Sequence, residues 1–116
     1  MSGTPEAAWL AANAPRFGLI LSYPAHKQDI TGLPYEPWHF RYVGGVHAQI
    51  MAERDFVLVE YIEFLQERGV YQTTFDGRSY YVLYQRPQNG MISLPEDLDF
   101  RVSSANTGGY IVTAWR

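Results

Sequence analysis

The hydrophobic period changes at Gly69, and that change constrains the fold class more than any other feature of the chain. Before it, Leu58, Tyr61, Ile62 and Leu65 fall at i, i+3, i+4 and i+7, one face of an α-helix that Gly69 ends. After it, residues 71–75 and 79–84 flank Asp76-Gly77, a turn pair that joins two antiparallel strands. Residues 86–97, with Pro87, Asn89-Gly90 and Pro95, read as a loop with a short extended piece at 91–93. A second hairpin, 100–103 with 110–115, turns around Asn106-Thr107-Gly108-Gly109. Helices followed by runs of strands define an α+β chain: helices packed on a small antiparallel sheet, with a β-hairpin-rich C-terminal tail. The expected division is 1–69 and a β-rich extension, 70–116, packed on it. The tail reads either as extra sheet closing the domain or as a module that uses Tyr80, Tyr84 and Tyr110 to recognise a glycan or peptide.

Upstream, Thr4-Pro5-Glu6 opens a helix: Thr4 is the N-cap, Pro5 loses no hydrogen bond in the first turn, and Glu6 suits the dipole. Pro15 stops that helix, and Trp9 is expected to anchor it in the core. The apolar run 17–23, closed by Pro24, reads as an interior strand covered on both faces. Residues 25–33 then form a polar loop, whose His26 and Asp29 are a remote candidate for metal ligands. Gly44-Gly45 precedes a short helix over 46–53, with Val46 and Ile50 on one side and His47 as a packing or surface residue. Val57 is a weak N-cap for the helix that follows, so its start is expected to fray. Glu60, Glu63, Gln66 and Glu67 read as its solvated face.

Candidate chemistry lies between residues 32 and 44, in Gly-Leu-Pro-Tyr-Glu-Pro-Trp-His-Phe-Arg-Tyr-Val-Gly. On a regular strand, Glu36 and His39 would point to opposite faces. Pro37 cannot donate to a ladder, so the strand is expected to begin at Trp38, leaving Glu36 on a loop free to swing toward His39. Alternation then puts Trp38, Phe40 and Tyr42 on a core face and His39, Arg41 and Val43 on a cleft face. Two readings fit this pair. One is a buried imidazole hydrogen-bonded to a nearby acid. The other is the division of labour in a zinc hydrolase, one residue holding metal and the other moving a proton.

The surrounding residues closely resemble one family. Trp9-Leu10-Ala11-Ala12-Asn13-Ala14, Phe17-Gly18-Leu19-Ile20-Leu21-Ser22-Tyr23-Pro24, Ile30-Thr31-Gly32, residues 35–44 and Ala48 resemble, in order and spacing, the C-terminal half of the VanY-type zinc D-alanyl-D-alanine carboxypeptidases. The resemblance runs over roughly residues 6–68 and implies His39 as a zinc ligand and Glu36 as the catalytic base. It implies a substrate pocket shaped by Trp38, Arg41 and Tyr35. The family's further His and Asp ligands, in an upstream Ser-x-His-x-x-Gly-x-Ala-x-Asp segment, have no counterpart here, nor does its carboxylate-gripping arginine. Zinc is therefore expected in the complete site and weakly or not at all in this chain alone. The implied function is that of a D,D-carboxypeptidase-like peptidase acting on peptidoglycan stem peptides and present as a partial chain, inactive by itself. The alternative is a non-catalytic relic, or a module of the same fold that binds cell-wall peptide.

Composition fits this picture. The 116 residues suffice for one compact domain. Nine basic residues are scattered singly in a chain of net charge −3, which disfavours nucleic acid and anionic membrane surfaces. No apolar run approaches the roughly 18 residues of a membrane span, and no signal-peptide layout opens the chain. By resemblance, the expected location is extracytoplasmic. The lack of cysteine excludes disulfides, thiol chemistry and a structural Cys-rich zinc site.

Overall fold

The computed structural model describes residues 4–105 and 107–116, so Asn106 of the expected second turn lies outside the described residues. The chain is α+β and divides into two compact units, residues 1–61 and 62–116.

In the first unit, α1 (Pro5–Asn13) starts as its sequence dictates: Thr4 Oγ1 accepts the Ala7 N–H at 3.0 Å. None of the nine residues of α1 is buried. Trp9 is accordingly not a core anchor: it is 56% exposed and packs against Phe17 with ring centroids 6.1 Å apart. A 3-10 turn over Ala14–Phe17 ends at Gly18, whose φ of +77° lies in the left-handed region. A Cβ there would lie 2.8 Å from Tyr42 Cε1 and 3.1 Å from the Gly44 backbone, so this close crossing requires glycine. The Gly18 carbonyl also accepts the N–H groups of Val43 (2.7 Å) and Gly44 (3.1 Å).

The expected interior strand over 17–23 is therefore shorter. It becomes β1 (Leu19–Leu21), with Phe17 outside it and exposed. β1 pairs antiparallel with β2 (Phe40–Tyr42) in a two-stranded sheet, and Ile20 stands opposite Arg41. This pairing corrects the expected faces. Ile20, on the Arg41 side, is buried and only 6% exposed, whereas Tyr42 on the aromatic side is 67% exposed. The polar loop expected over 25–33 is partly helical, with a 3-10 turn at Ala25–Lys27 and α2 at Gln28–Thr31.

Helix α3 (Gly45–Arg54) buries Val46, His47, Ala48, Ile50 and Met51. His47 Nδ1 and the Tyr61 hydroxyl lie 2.6 Å apart in the interior, so His47 is a packing residue, as its sequence context suggests. Helix α4 (Leu58–Arg68) buries Tyr61, Ile62 and Leu65 of the predicted stripe and leaves Leu58 half-buried. The carboxylate of Glu60 accepts the Val57 N–H at 3.0 Å, supplying the reciprocal half of a capping box where the N-cap side chain is apolar. Glu60 is thus withdrawn from the solvated face, while Glu63, Gln66 and Glu67 remain on it.

The second unit carries an antiparallel sheet of order β3-β4-β6-β5, formed by Tyr71–Phe75, Arg78–Gln85, Tyr110–Trp115 and Asp99–Ser104. Asp76 (φ 51°) and Gly77 (φ 77°) close the first hairpin with both residues at positive φ, as the sequence pair predicts. Strands β4 and β6 bury Val82, Ile111, Val112 and Ala114, whereas all six residues of β5 are exposed. At 91–93, Met91 bridges to Gln88, and the Gln85 side chain brackets the main chain of Ser93 at 2.6 and 2.9 Å.

Candidate active site

Pro37 determines the local geometry in a different way from a strand start. Its fixed φ suits the second position of a β-turn, and the His39 N–H donates to the Glu36 carbonyl at 3.2 Å, closing a turn over residues 36–39. Trp38 therefore sits in a turn, 62% exposed, and not on a strand facing the core. Glu36 and His39 occupy the first and last positions of the turn, which brings together two side chains that a strand would have separated.

The turn is tied to the end of β1 on both sides. The Ser22 N–H donates to the His39 carbonyl at 3.0 Å, and the Glu36 N–H donates to the Tyr23 carbonyl at 3.0 Å. The resulting distance from Glu36 Oε1 to His39 Nδ1 is 3.6 Å. That is too long for a hydrogen bond, so the two groups share a space without satisfying each other. The Glu36 side chain is 24% exposed and that of His39 46%. This openness does not fit the buried, acid-bonded imidazole. Tyr23 meets the His39 ring edge-on, with centroids 4.7 Å apart and planes at 75°. The sequence offered only one sign of this role for Tyr23: it closes an apolar run just before Pro24.

The segment leading into the turn is fixed from below. His26 Nε2 lies 2.8 Å from Asp55 Oδ2, and Lys27 Nζ lies 3.0 Å from Glu60 Oε1. His26 therefore pairs with Asp55 and not with Asp29. Of the other residues singled out for a pocket, Tyr35 is 40% exposed at the entry to the turn, and Arg41 is half-buried in β2.

Chemically, the site offers one carboxylate able to accept a proton and one open imidazole. A catalytic zinc takes about three protein ligands. Among the described residues no group of three or more His, Cys, Asp or Glu side chains could hold a metal ion. The donors of this chain alone do not fit such a centre.

The stretch that carries this Glu-Pro-Trp-His turn is similar to known carboxypeptidases. Residues 1–45 match the model of the family described as VanY, D-alanyl-D-alanine carboxypeptidase. A D-alanyl-D-alanine carboxypeptidase of Enterococcus faecium is 40% identical over 116 residues, 99% of this chain and 38% of that protein. The bifunctional D-Ala-D-Ala dipeptidase and D-Ala-D-Ala carboxypeptidase VanXYC of Enterococcus gallinarum is 51% identical over 51 residues, 44% of this chain and 27% of that protein. Among solved structures, the vancomycin resistance D,D-dipeptidase VanXYg, in complex with a D-Ala-D-Ala phosphinate analog, superposes with a TM-score of 0.79 at 35% identity. That match covers 91% of this chain and 45% of VanXYg. The chain is thus similar to the VanY-type D-alanyl-D-alanine carboxypeptidases, and each match covers less than half of the other protein. No helix among the described residues is long and apolar enough to cross a membrane.

Proposed function

We propose that this chain carries one half of the active centre of a zinc-dependent D,D-carboxypeptidase acting on peptidoglycan stem peptides outside the cytoplasmic membrane. Glu36 is the proton-transfer group: it takes a proton from the attacking water and returns one to the leaving amine of the terminal D-alanine. His39 is the single metal ligand that this stretch contributes, and a catalytic zinc needs about two further protein ligands. Trp38 and Tyr35, both exposed beside the pair, are the pocket walls that receive the peptide, and Arg41 orients the site from β2. The observation that carries this reading is the 3.6 Å approach of an open imidazole to a partly shielded carboxylate that does not hydrogen-bond to it. Alone, the chain is inactive for want of ligands.

The test is a chimera in which this chain replaces the matching part of the E. faecium carboxypeptidase, assayed for release of D-alanine from a D-Ala-D-Ala-terminated peptide. Turnover is expected, and Glu36→Gln should reduce kcat by about 10²- to 10⁴-fold, the usual worth of a positioned acid-base group. A Glu36→Gln chimera as active as its parent would exclude the assignment.

A further inference from the structure

We infer that Tyr23 is a positioning residue for the Glu36–His39 pair, its ring edge setting the orientation of the imidazole while its main-chain carbonyl holds Glu36. This inference rests on the reading of Glu36 and His39 as the working pair, but its geometry stands apart from any hydrolytic activity.

The hydrogen bonds of the turn fix the main chain of residues 36 and 39 and leave χ1 and χ2 of His39 undetermined. An imidazole side chain that is 46% exposed, with no hydrogen bond to the carboxylate 3.6 Å away, would otherwise exchange among rotamers. The Tyr23 ring meets it edge-on at 4.7 Å and 75°, an arrangement that aromatic pairs prefer and that is worth enough to bias one rotamer by about two- to tenfold. The favoured rotamer is the one that turns Nδ1 toward Glu36 Oε1. The Tyr23 carbonyl meanwhile accepts the Glu36 N–H at 3.0 Å, and the neighbouring Ser22 N–H holds the His39 carbonyl at 3.0 Å. A single residue therefore touches both members of the pair, one through its ring and the other through its backbone. The Tyr23 hydroxyl plays no part in this arrangement, so phenylalanine should replace tyrosine without loss.

The experiment uses the full 116-residue chain, labelled with ¹⁵N at histidine. The quantity read is the displacement of the His39 Nδ1 resonance caused by Glu36→Gln, measured in the parent, in Tyr23→Phe and in Tyr23→Leu. The displacement should be the same in the parent and in Tyr23→Phe, and at least halved in Tyr23→Leu, with the two Tyr23 variants melting at similar temperatures. Retention of the full displacement in Tyr23→Leu would overturn the inference, as would its loss in Tyr23→Phe. Tyr23→Met, which keeps the bulk without the ring, is measured in the same way. If Tyr23→Leu and Tyr23→Met both fail to fold, Tyr23 is core support and the positioning role is wrong. An inactive chimera with a normal Tyr23 result would count against the peptidase reading alone.

Discussion

Lys27 Nζ stands 3.0 Å from Glu60 Oε1, a residue 33 positions further along the chain, and the two side chains are only 14% and 21% exposed. The same oxygen accepts the Val57 N–H that opens α4. Glu60 thus joins the turn after β1 to the start of α4 within the first unit. Glu60→Ala removes a capping bond and leaves a shielded ammonium without this partner, so it should cost about 2 kcal/mol in urea unfolding. Glu60→Gln keeps an oxygen for Val57 and should cost roughly half as much. Equal losses in the two variants would show that the cap contributes nothing.

The second prediction concerns Pro37, which presets the turn that brings Glu36 and His39 to 3.6 Å. Pro37→Gly should lower stability by about 0.4–1 kcal/mol, through the greater freedom of the unfolded chain. In the chimera it should lower kcat more than it raises KM, because the pair is loosened while the peptide contacts remain. An unchanged kcat would mean that the main-chain bonds from Ser22 and Tyr23 hold the turn without the proline.

A third prediction concerns the second unit. A Cβ on Gly109 would fall 2.2 Å from Cζ and Oη of Tyr84, whose hydroxyl lies 2.8 Å from Thr107 Oγ1. Gly109→Ala should therefore cost about 1–3 kcal/mol by overpacking. Combining it with Tyr84→Val should cost less than the sum of the single changes, since the shorter side chain vacates the contested space. Additive costs would place the strain elsewhere.

What the sequence made legible follows from how local each signal is. Asp76-Gly77 identified its hairpin because a two-residue turn needs positive φ at both positions, and the spacing of Leu58, Tyr61, Ile62 and Leu65 identified α4 for an equally local reason. Trp9, Phe17 and Tyr42 were misplaced because apolar character favours burial without requiring it. Trp38 was misplaced because Pro37 can either precede a strand or occupy a turn, and the choice is made by the Ser22–His39 and Tyr23–Glu36 main-chain bonds, which span 17 and 13 residues in no local pattern. The proximity of Glu36 and His39 could be anticipated from their spacing around a proline. The Tyr23 ring contact and the Lys27–Glu60 pair could not, because each depends on a chain crossing that no short motif encodes.

The central claim is that His39 and Glu36 divide the work, one holding metal and the other moving protons. The most direct measurement is the zinc content of the purified chimera and of its Glu36→Gln and His39→Ala variants. The account predicts about one zinc per chain in the parent and in Glu36→Gln, and a loss of most of it in His39→Ala, where one of about three protein ligands is gone. Undiminished zinc in His39→Ala would contradict it.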